Sequence, residues 1–263
     1  MKVATWNING IRARLETARA WVKDAAPDIL CMQEIKCEDL AFPSEMFEEL
    51  GYNVHTHGQK GFNGVAILSK LPLEDVRSGL AGDDSDTHSR FIEAIVSVAG
   101  GVLRVVSLYL PNGNPAGTDK FAYKLAWMAR LEDYARARLA DEEAFVLAGD
   151  FNVIAEPIDA RFPDNWRHDA LFQPETRFAY RRLLNLGLTD AFRACNGEGG
   201  SYTFWDYQAG AWQKDNGILI DHMLLSPPAA DRLSAAWIDK RPRGWDKPSD
   251  HVPVVIDLAY SPP

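Results

Sequence analysis

The chain has 263 residues, 46% hydrophobic and 11% aromatic, enough for a large core and unlike an unfolded polyelectrolyte. Its formal charge of −9 argues against a partner held by bulk charge alone, although a global sum says little about one face, and a bound divalent cation reverses the sign locally. Apolar runs fall short of the ~20 residues of a membrane span, the start "MKVATWNI" has no charged-then-apolar leader, and Cys31, Cys37 and Cys195 form neither a CxxC nor a zinc spacing, so a reduced, cytoplasmic protein is expected.

Residues 2–8 alternate and predict a strand ending near Trp6 and Asn7. Ile11, Leu15, Ala18, Trp21 and Val22 recur at helical spacing and predict a helix over 11–25. "PDIL" opens a strand over 29–32 that stops at Gln33 and Glu34, and a helix is predicted over 44–50, before Gly51. "GVAILS" (64–69) and "FIEAIVSV" (91–98) read as strands. Gly100 and Gly101 turn the second back into "VLRVVSLYL" (102–110). A long amphipathic helix is predicted over 120–139. Then comes "FVLAGDFNV" (145–153), an apolar run that ends with Asp150 and Asn152 two residues apart. The irregular stretch to about residue 174 carries Phe162, Trp166 and Phe172, and a loop of that length usually has a function. A helix over 175–186 is stopped by Gly187. "GILIDHMLLS" (217–226) predicts a buried strand containing Asp221. "AAWI" (235–238) predicts a short one, and "SDHVPVVIDL" (249–258) places Asp250 and His251 just before the last. Neither a linker nor a composition shift divides the chain, so residues 1–263 are expected to form one α/β domain, two packed sheets covered by helices.

Asn7, Glu34, Tyr109, Asp150 with Asn152, Asp221, and Asp250 with His251 all fall within or beside strands. Scaffolds place chemistry at strand ends. Singly, each has an ordinary reading: Asn7 as a helix cap, Tyr109 as a core aromatic, Asp150 and Asn152 as turn formers, His251 and His222 as satisfied structural histidines. Asp221 is harder to dismiss, because a lone buried carboxylate is costly. Together they are a hard-cation set, with oxygen donors suited to Mg²⁺ or Mn²⁺ and an imidazole. The sequence has no P-loop, serine elbow or HExxH. Metal-assisted phosphodiester hydrolysis therefore outranks nucleotide-driven transfer and acyl chemistry.

"VATWNINGIRAR", "DILCMQEIKC", "FNGVAILSK", "LYLPNGNP", "LAGDFNV", "ILIDHMLLS" and "KPSDHVPV" occur in this order from residue 3 to 255. They resemble the exonuclease III family of abasic-site endonucleases, within the endonuclease/exonuclease/phosphatase superfamily. The resemblance implies a four-layered α-β-β-α sandwich and a Mg²⁺-dependent (alternatively Mn²⁺-dependent) DNA repair nuclease. Such an enzyme cleaves 5′ to abasic sites in duplex DNA, with 3′→5′ exonuclease and 3′-end-cleaning activity, and is expected to be monomeric. It implies Glu34 as the principal metal carboxylate with Asn7 beside it and Asp250 supporting, and places Asp150, Asn152 and His251 around the same metal. Asp150 would activate the water, Asn152 would steady the phosphate or the water, Tyr109 would donate its hydroxyl to the phosphate, and His251, held by Asp221, would stabilise phosphoryl charge. Asn9 and Asn112 would be secondary members. Phe204, Trp205, Ile218 and Ile220 would wall an apolar pocket for the baseless sugar, the alternative reading of all four being ordinary core packing. Lys60, Arg90, Lys120, Lys124, Arg241, Arg243 and Lys247 are candidate phosphate contacts, although taken singly most of them read as solvated surface cations. Many relatives carry Arg where Leu219 stands. The alternatives are a superfamily cousin acting on RNA, phospholipid or inositol phosphate, and a catalytically silent DNA-binding protein.

Overall fold

Side chains alternate across a strand, so a sheet packed on both faces needs apolar residues at both parities. Every residue of "VAILS", "ILCMQ" and "FVLAGD" is buried, which places these segments at sheet centres. In the computed structural model, which describes residues 1–260, they lie within two six-stranded sheets. The first contains β1 (Lys2–Asn7), β2 (Ile29–Gln33), β3 (Asn53–His57), β4 (Val65–Ser69), β11 (Leu233–Ile238) and β12 (Val254–Leu258), in the order β11-β12-β1-β2-β4-β3. The second contains β5 (Glu74–Ser78), β6 (Phe91–Val98), β7 (Gly101–Tyr109), β8 (Phe145–Asp150), β9 (Thr189–Asp190) and β10 (Asp221–Leu225), in the order β5-β6-β7-β8-β10-β9. Both sheets repeat one pattern: a central parallel pair, β1/β2 or β7/β8, flanked by antiparallel neighbours.

Three apolar layers result. Val3, Ile29, Cys31, Val105, Val146, Ala148, Met223 and Ile256 fill the space between the sheets. Trp6, Trp21 and Phe47 join the first sheet to α1 (Leu15–Ala25) and α2 (Glu45–Glu48). Trp127, Met128, Leu131 and Leu183 join the second to α3 (Asp119–Ala140) and α4 (Pro174–Asn185). Two further one-turn helices, α5 (Ala191–Cys195) and α6 (Pro227–Ala230), flank β10. This is the expected α-β-β-α sandwich. Its weak points are local: the helix predicted over 11–25 breaks at Arg14 into a 3₁₀ turn and α1, and that over 44–50 is a single α turn. Residues 217–220 and 249–253 are not strand.

The layer between the sheets changes character along the strands. Followed in steps of two, Val3–Thr5–Asn7, Val105–Ser107–Tyr109 and Val146–Ala148–Asp150 each run from apolar to polar on one face. Thr5, Gln33 and Ser107 mark the boundary: Thr5 Oγ1 donates to Gln33 Oε1 at 3.2 Å within the first sheet, and Gln33 Nε2 donates across to Ser107 Oγ at 3.1 Å. Beyond them the sandwich opens into a polar cleft at the carboxyl ends of both parallel pairs.

Candidate active site

Register builds the cleft floor. Tyr109, Asp150 and Asp221 are direct cross-strand neighbours on β7, β8 and β10. Opposite, on the first sheet, Asn7 stands beside Gln33. Glu34 follows Gln33 but turns into the same cleft because it leaves β2 with φ 51°. Asn9 (φ 49°), Lys36 (φ 54°) and Asn152 (φ 49°) share this left-handed backbone, which non-glycine residues seldom adopt and which clusters at functional sites.

The amide of Asn7 joins the two sheets. Its Nδ2 donates to Glu34 Oε1 and to Asp150 Oδ2, each at 2.9 Å, while its Oδ1 accepts from the Asn9 backbone at 3.0 Å. Asp150 also accepts from the Asn152 N–H at 2.8 Å. His251 Nδ1 lies 2.8 Å from Asp221 Oδ2, and its Nε2 faces Asp150 at 3.8 Å. Thr203 Oγ1 accepts from the backbone N–H groups of Ile220 and Asp221, each at 3.2 Å, fixing the start of β10.

These contacts set the protonation states. Burial pushes Asp150 up to about 7, and the Asp221 carboxylate directly across the strand adds to the rise. Burial alone would depress His251, but Asp221 and then Asp150 override it and raise the imidazole to about 10. Burial also opposes ionisation of Glu34, yet the Lys36 ammonium 2.7 Å away and the Asn7 amide bring its pKa below the ordinary value. The buried Tyr109 hydroxyl, beside Glu34 and Asp150, keeps its proton.

Glu34, Asp150 and His251 each offer an atom within 4.8 Å of the others. A metal-bound imidazole must be neutral. The Asp221 partnership favours the imidazolium form of His251, so a cation would have to displace a proton to take the imidazole, whereas the Glu34 and Asp150 carboxylates offer oxygen donors directly. Two carboxylates, with an ammonium already drawn to one of them, fit a hard divalent cation.

The remaining expected residues separate. Asn7 is placed as a donor to both carboxylates, with its oxygen accepting from the Asn9 N–H. Asp250 stands outside the cluster and reaches it through Asn9, whose side chain donates to it at 3.0 Å and accepts from Lys36. Asn152 Nδ2 donates to the Leu110 carbonyl at 2.9 Å, and its Oδ1 accepts from Asn112 Nδ2 at 3.2 Å. Phe204 lies edge-on to the His251 ring at 5.0 Å. With Ile218, Trp166 and Asp206 it lines a cavity of about 360 Å³, and Ile220 packs in the same apolar cluster. Trp205 does not line this cavity. It is fully buried against Tyr202 and Trp212, its indole N–H on Asp215 at 3.1 Å, because its neighbour Phe204 takes the outward place.

Of the proposed phosphate contacts, Lys60, Lys120 and Lys247 are exposed. Arg90 stacks on the Tyr109 ring, 4.9 Å from its centroid. Arg241 is engaged by Asp239 and Asp24, Arg243 is buried, and Lys124 is wholly enclosed. Lys36, Thr203 and Ser249, which donates to the Asn7 carbonyl at 2.7 Å, were not anticipated. Their signal was adjacency to Glu34, Phe204 and Asp250 in sequence.

Fold and site define a metal-dependent phosphodiesterase: carboxylates and imidazolium converge where a phosphate can enter, at the open end of a two-sheet sandwich. Residues 4–251 match the Endonuclease/Exonuclease/phosphatase family, and the chain belongs to that family. It is 36% identical to exodeoxyribonuclease III of Haemophilus influenzae over 97% of this chain and 98% of that protein. It is 32% identical to the DNA repair nuclease APEX1 of Danio rerio, over 98% and 82%. The structure of an AP endonuclease from Archaeoglobus fulgidus superposes with a TM-score of 0.93 at 40% identity, covering 98% of this chain and 99% of that one. That of a Neisseria 3′ phosphatase bound to a product DNA hairpin superposes at 0.94 and 36%, with the same coverage.

Proposed function

We propose that this DNA repair nuclease hydrolyses the phosphodiester 5′ to abasic sites in duplex DNA, leaving a 3′-hydroxyl, and also trims and cleans 3′ ends. Mg²⁺ is the proposed cofactor, with Mn²⁺ able to replace it, and the enzyme acts as a cytoplasmic monomer. The observation that carries this reading is the juxtaposition of the Asp150/His251–Asp221 constellation, through Phe204, with a cavity that has Phe204, Trp166 and Ile218 on its apolar side and Asp206, Asn165 and Asn216 on its polar side. A phosphate between them leaves a baseless sugar facing the cavity. Extrusion costs least where base pairing is already lost.

The roles follow from the charges. Asp150, shifted to about 7, is matched to accepting a proton from water near neutral pH. His251 keeps the proton on Nε2 because Asp221 holds Nδ1, so it presents positive charge to a phosphoryl oxygen. Tyr109 donates its hydroxyl, and the Asn112 and Asn152 amides steady the phosphate. Glu34, with Asp150, would hold Mg²⁺, which when bound supplies Lewis-acid stabilisation of phosphoryl charge. Asn7 sets the spacing of the two acids. Asp250 supports this side through Asn9 and Lys36.

The test is an oligonucleotide duplex carrying one tetrahydrofuran residue, beside a duplex with a recessed 3′-phosphate, each with Mg²⁺ and then with chelator. A metal-dependent nick 5′ to the analogue is expected. Binding without cleavage would favour the silent binder. Cleavage confined to RNA, phospholipid or inositol phosphate would replace the substrate assignment.

A further inference from the structure

Lys124 lies on α3 in a helix face otherwise built from Trp127, Met128 and Leu131. It has no exposed surface. Its Nζ donates to the Asn152 carbonyl at 2.6 Å and to the Asn112 carbonyl at 3.1 Å. No carboxylate lies within ion-pair distance of it among the described residues, and burial lowers its pKa to about 7, with Asp150 and Asp169 opposing from further off. Burying an ammonium against two carbonyls costs more than burying a methionine of similar length. Stability alone therefore gives a weak reason for lysine here.

The two carbonyls give a better one. They belong to the residues whose side-chain amides bond to each other at the cleft, Asn112 Nδ2 to Asn152 Oδ1. They also lie at the exits of β7 and β8, which are separated by the whole of α3. Chain and stem are closely fitted: Gly113 (φ +85°) lies so near that a Cβ there would sit 2.6 Å from Lys124 Cδ. The next residue, Asn114, donates to Asp169 at 3.0 Å and accepts from the Ala170 N–H at 2.9 Å, in the loop that carries Trp166 to the cavity.

We propose that Lys124 is a positioning residue for the Asn112–Asn152 amide pair, its Nζ donors fastening the two strand exits from beneath so that both amides meet one phosphate. The proposal rests on the reading that this pair binds the scissile phosphate. Displacing such groups by about 1 Å can cost ~10²-fold in rate.

A double-mutant cycle on the full-length enzyme tests it, using single-turnover cleavage of the tetrahydrofuran duplex with saturating Mg²⁺. Lys124→Met should slow cleavage about 10–100-fold, with DNA affinity nearly unchanged. Asn152→Ala should be slow, and Lys124→Met should add little in its background. A wild-type rate for Lys124→Met overturns the proposal, as does a double variant slowed by the product of the single factors, the mark of a merely structural lysine. A wild-type rate for Asn152→Ala instead overturns the phosphate role of the amide pair. Should Lys124→Met fail to reach the native far-UV spectrum, Lys124→Gln takes its place in the same cycle with the same criteria.

Discussion

Two His–Asp pairs sit back to back on β10. Asp221 faces the cleft and pairs with His251 at 2.8 Å. The next residue, His222, faces the other side of the sheet and pairs with Asp190 at 3.5 Å. Both imidazoles are buried, and in both the carboxylate outweighs desolvation and raises the pKa. The difference lies at the second ring nitrogen. His222 Nε2 is bound to the Val153 carbonyl at 2.9 Å, and the ring is walled by Phe151 and Tyr180. His251 Nε2 has only Asp150, at 3.8 Å, too far for a hydrogen bond. The proposed chemical role goes to the pair whose far nitrogen is left for a substrate, while the pair with both nitrogens engaged is a polar staple.

The sharpest break of that symmetry is mutational. His251→Asn and Asp150→Asn should each lower turnover by ~10³-fold or more, in the range for losing a positioned acid or base. DNA binding should survive in a gel-shift assay. Rates near wild type in either variant would remove the assigned roles. A smaller effect concerns metal loading. Asp150 must be ionised to hold a cation, and its raised pKa means that it is protonated below about 7. Apparent Mg²⁺ affinity, read by calorimetry, should fall as pH drops through that value, by up to about tenfold per pH unit for one competing proton. In Asp150→Asn the slope should flatten. A steep pH dependence surviving there would place the titrating group elsewhere.

The same contrast explains what the sequence made visible. The cleft was legible because the contributing strands follow period two and turn from apolar to polar towards their inward ends, as in Val3–Thr5–Asn7 and Val146–Ala148–Asp150. The order of the motifs then supplied the topology. The edge strands β3, "NVHTH", and β5, "EDVRS", were missed because they are paired on one side only and carry no apolar alternation. "GILI" is as apolar as a strand, but its backbone crosses Phe204 and Ala160 in isolated bridges and forms a cavity wall. Leu219, where the resemblance raised the expectation of an Arg, packs into the apolar space between the sheets. Lys124 read as a surface cation because a buried lysine and a solvated one have the same helical spacing. Only the approach of two distant carbonyls tells them apart. Trp205 and Phe204 are adjacent, and the sequence alone could not say which of them faces outward.

The gentlest prediction belongs to the staple. His222→Leu keeps the bulk of the ring but leaves the Val153 carbonyl unpaired, while Asp190 retains the Tyr180 hydroxyl and the Arg193 N–H. Losing a buried hydrogen bond with an ionic partner costs about 1–3 kcal/mol. The sign with pH follows from linkage. His222 has a raised pKa when folded, so its ion pair contributes fully below the unfolded value of about 6.5 and is lost as pH rises through the folded one. The stability gap between wild type and His222→Leu, measured by denaturant titration, should therefore be wider at pH 6 than at pH 9. Turnover per folded molecule should change only a few-fold, because Val153 lies beyond Asn152 and the Asp150–Asn152 turn is held independently by its own side chains. A His222→Leu enzyme as slow as His251→Asn yet fully stable would mean that both imidazoles serve the chemistry, and the division between device and staple along this one strand would fail.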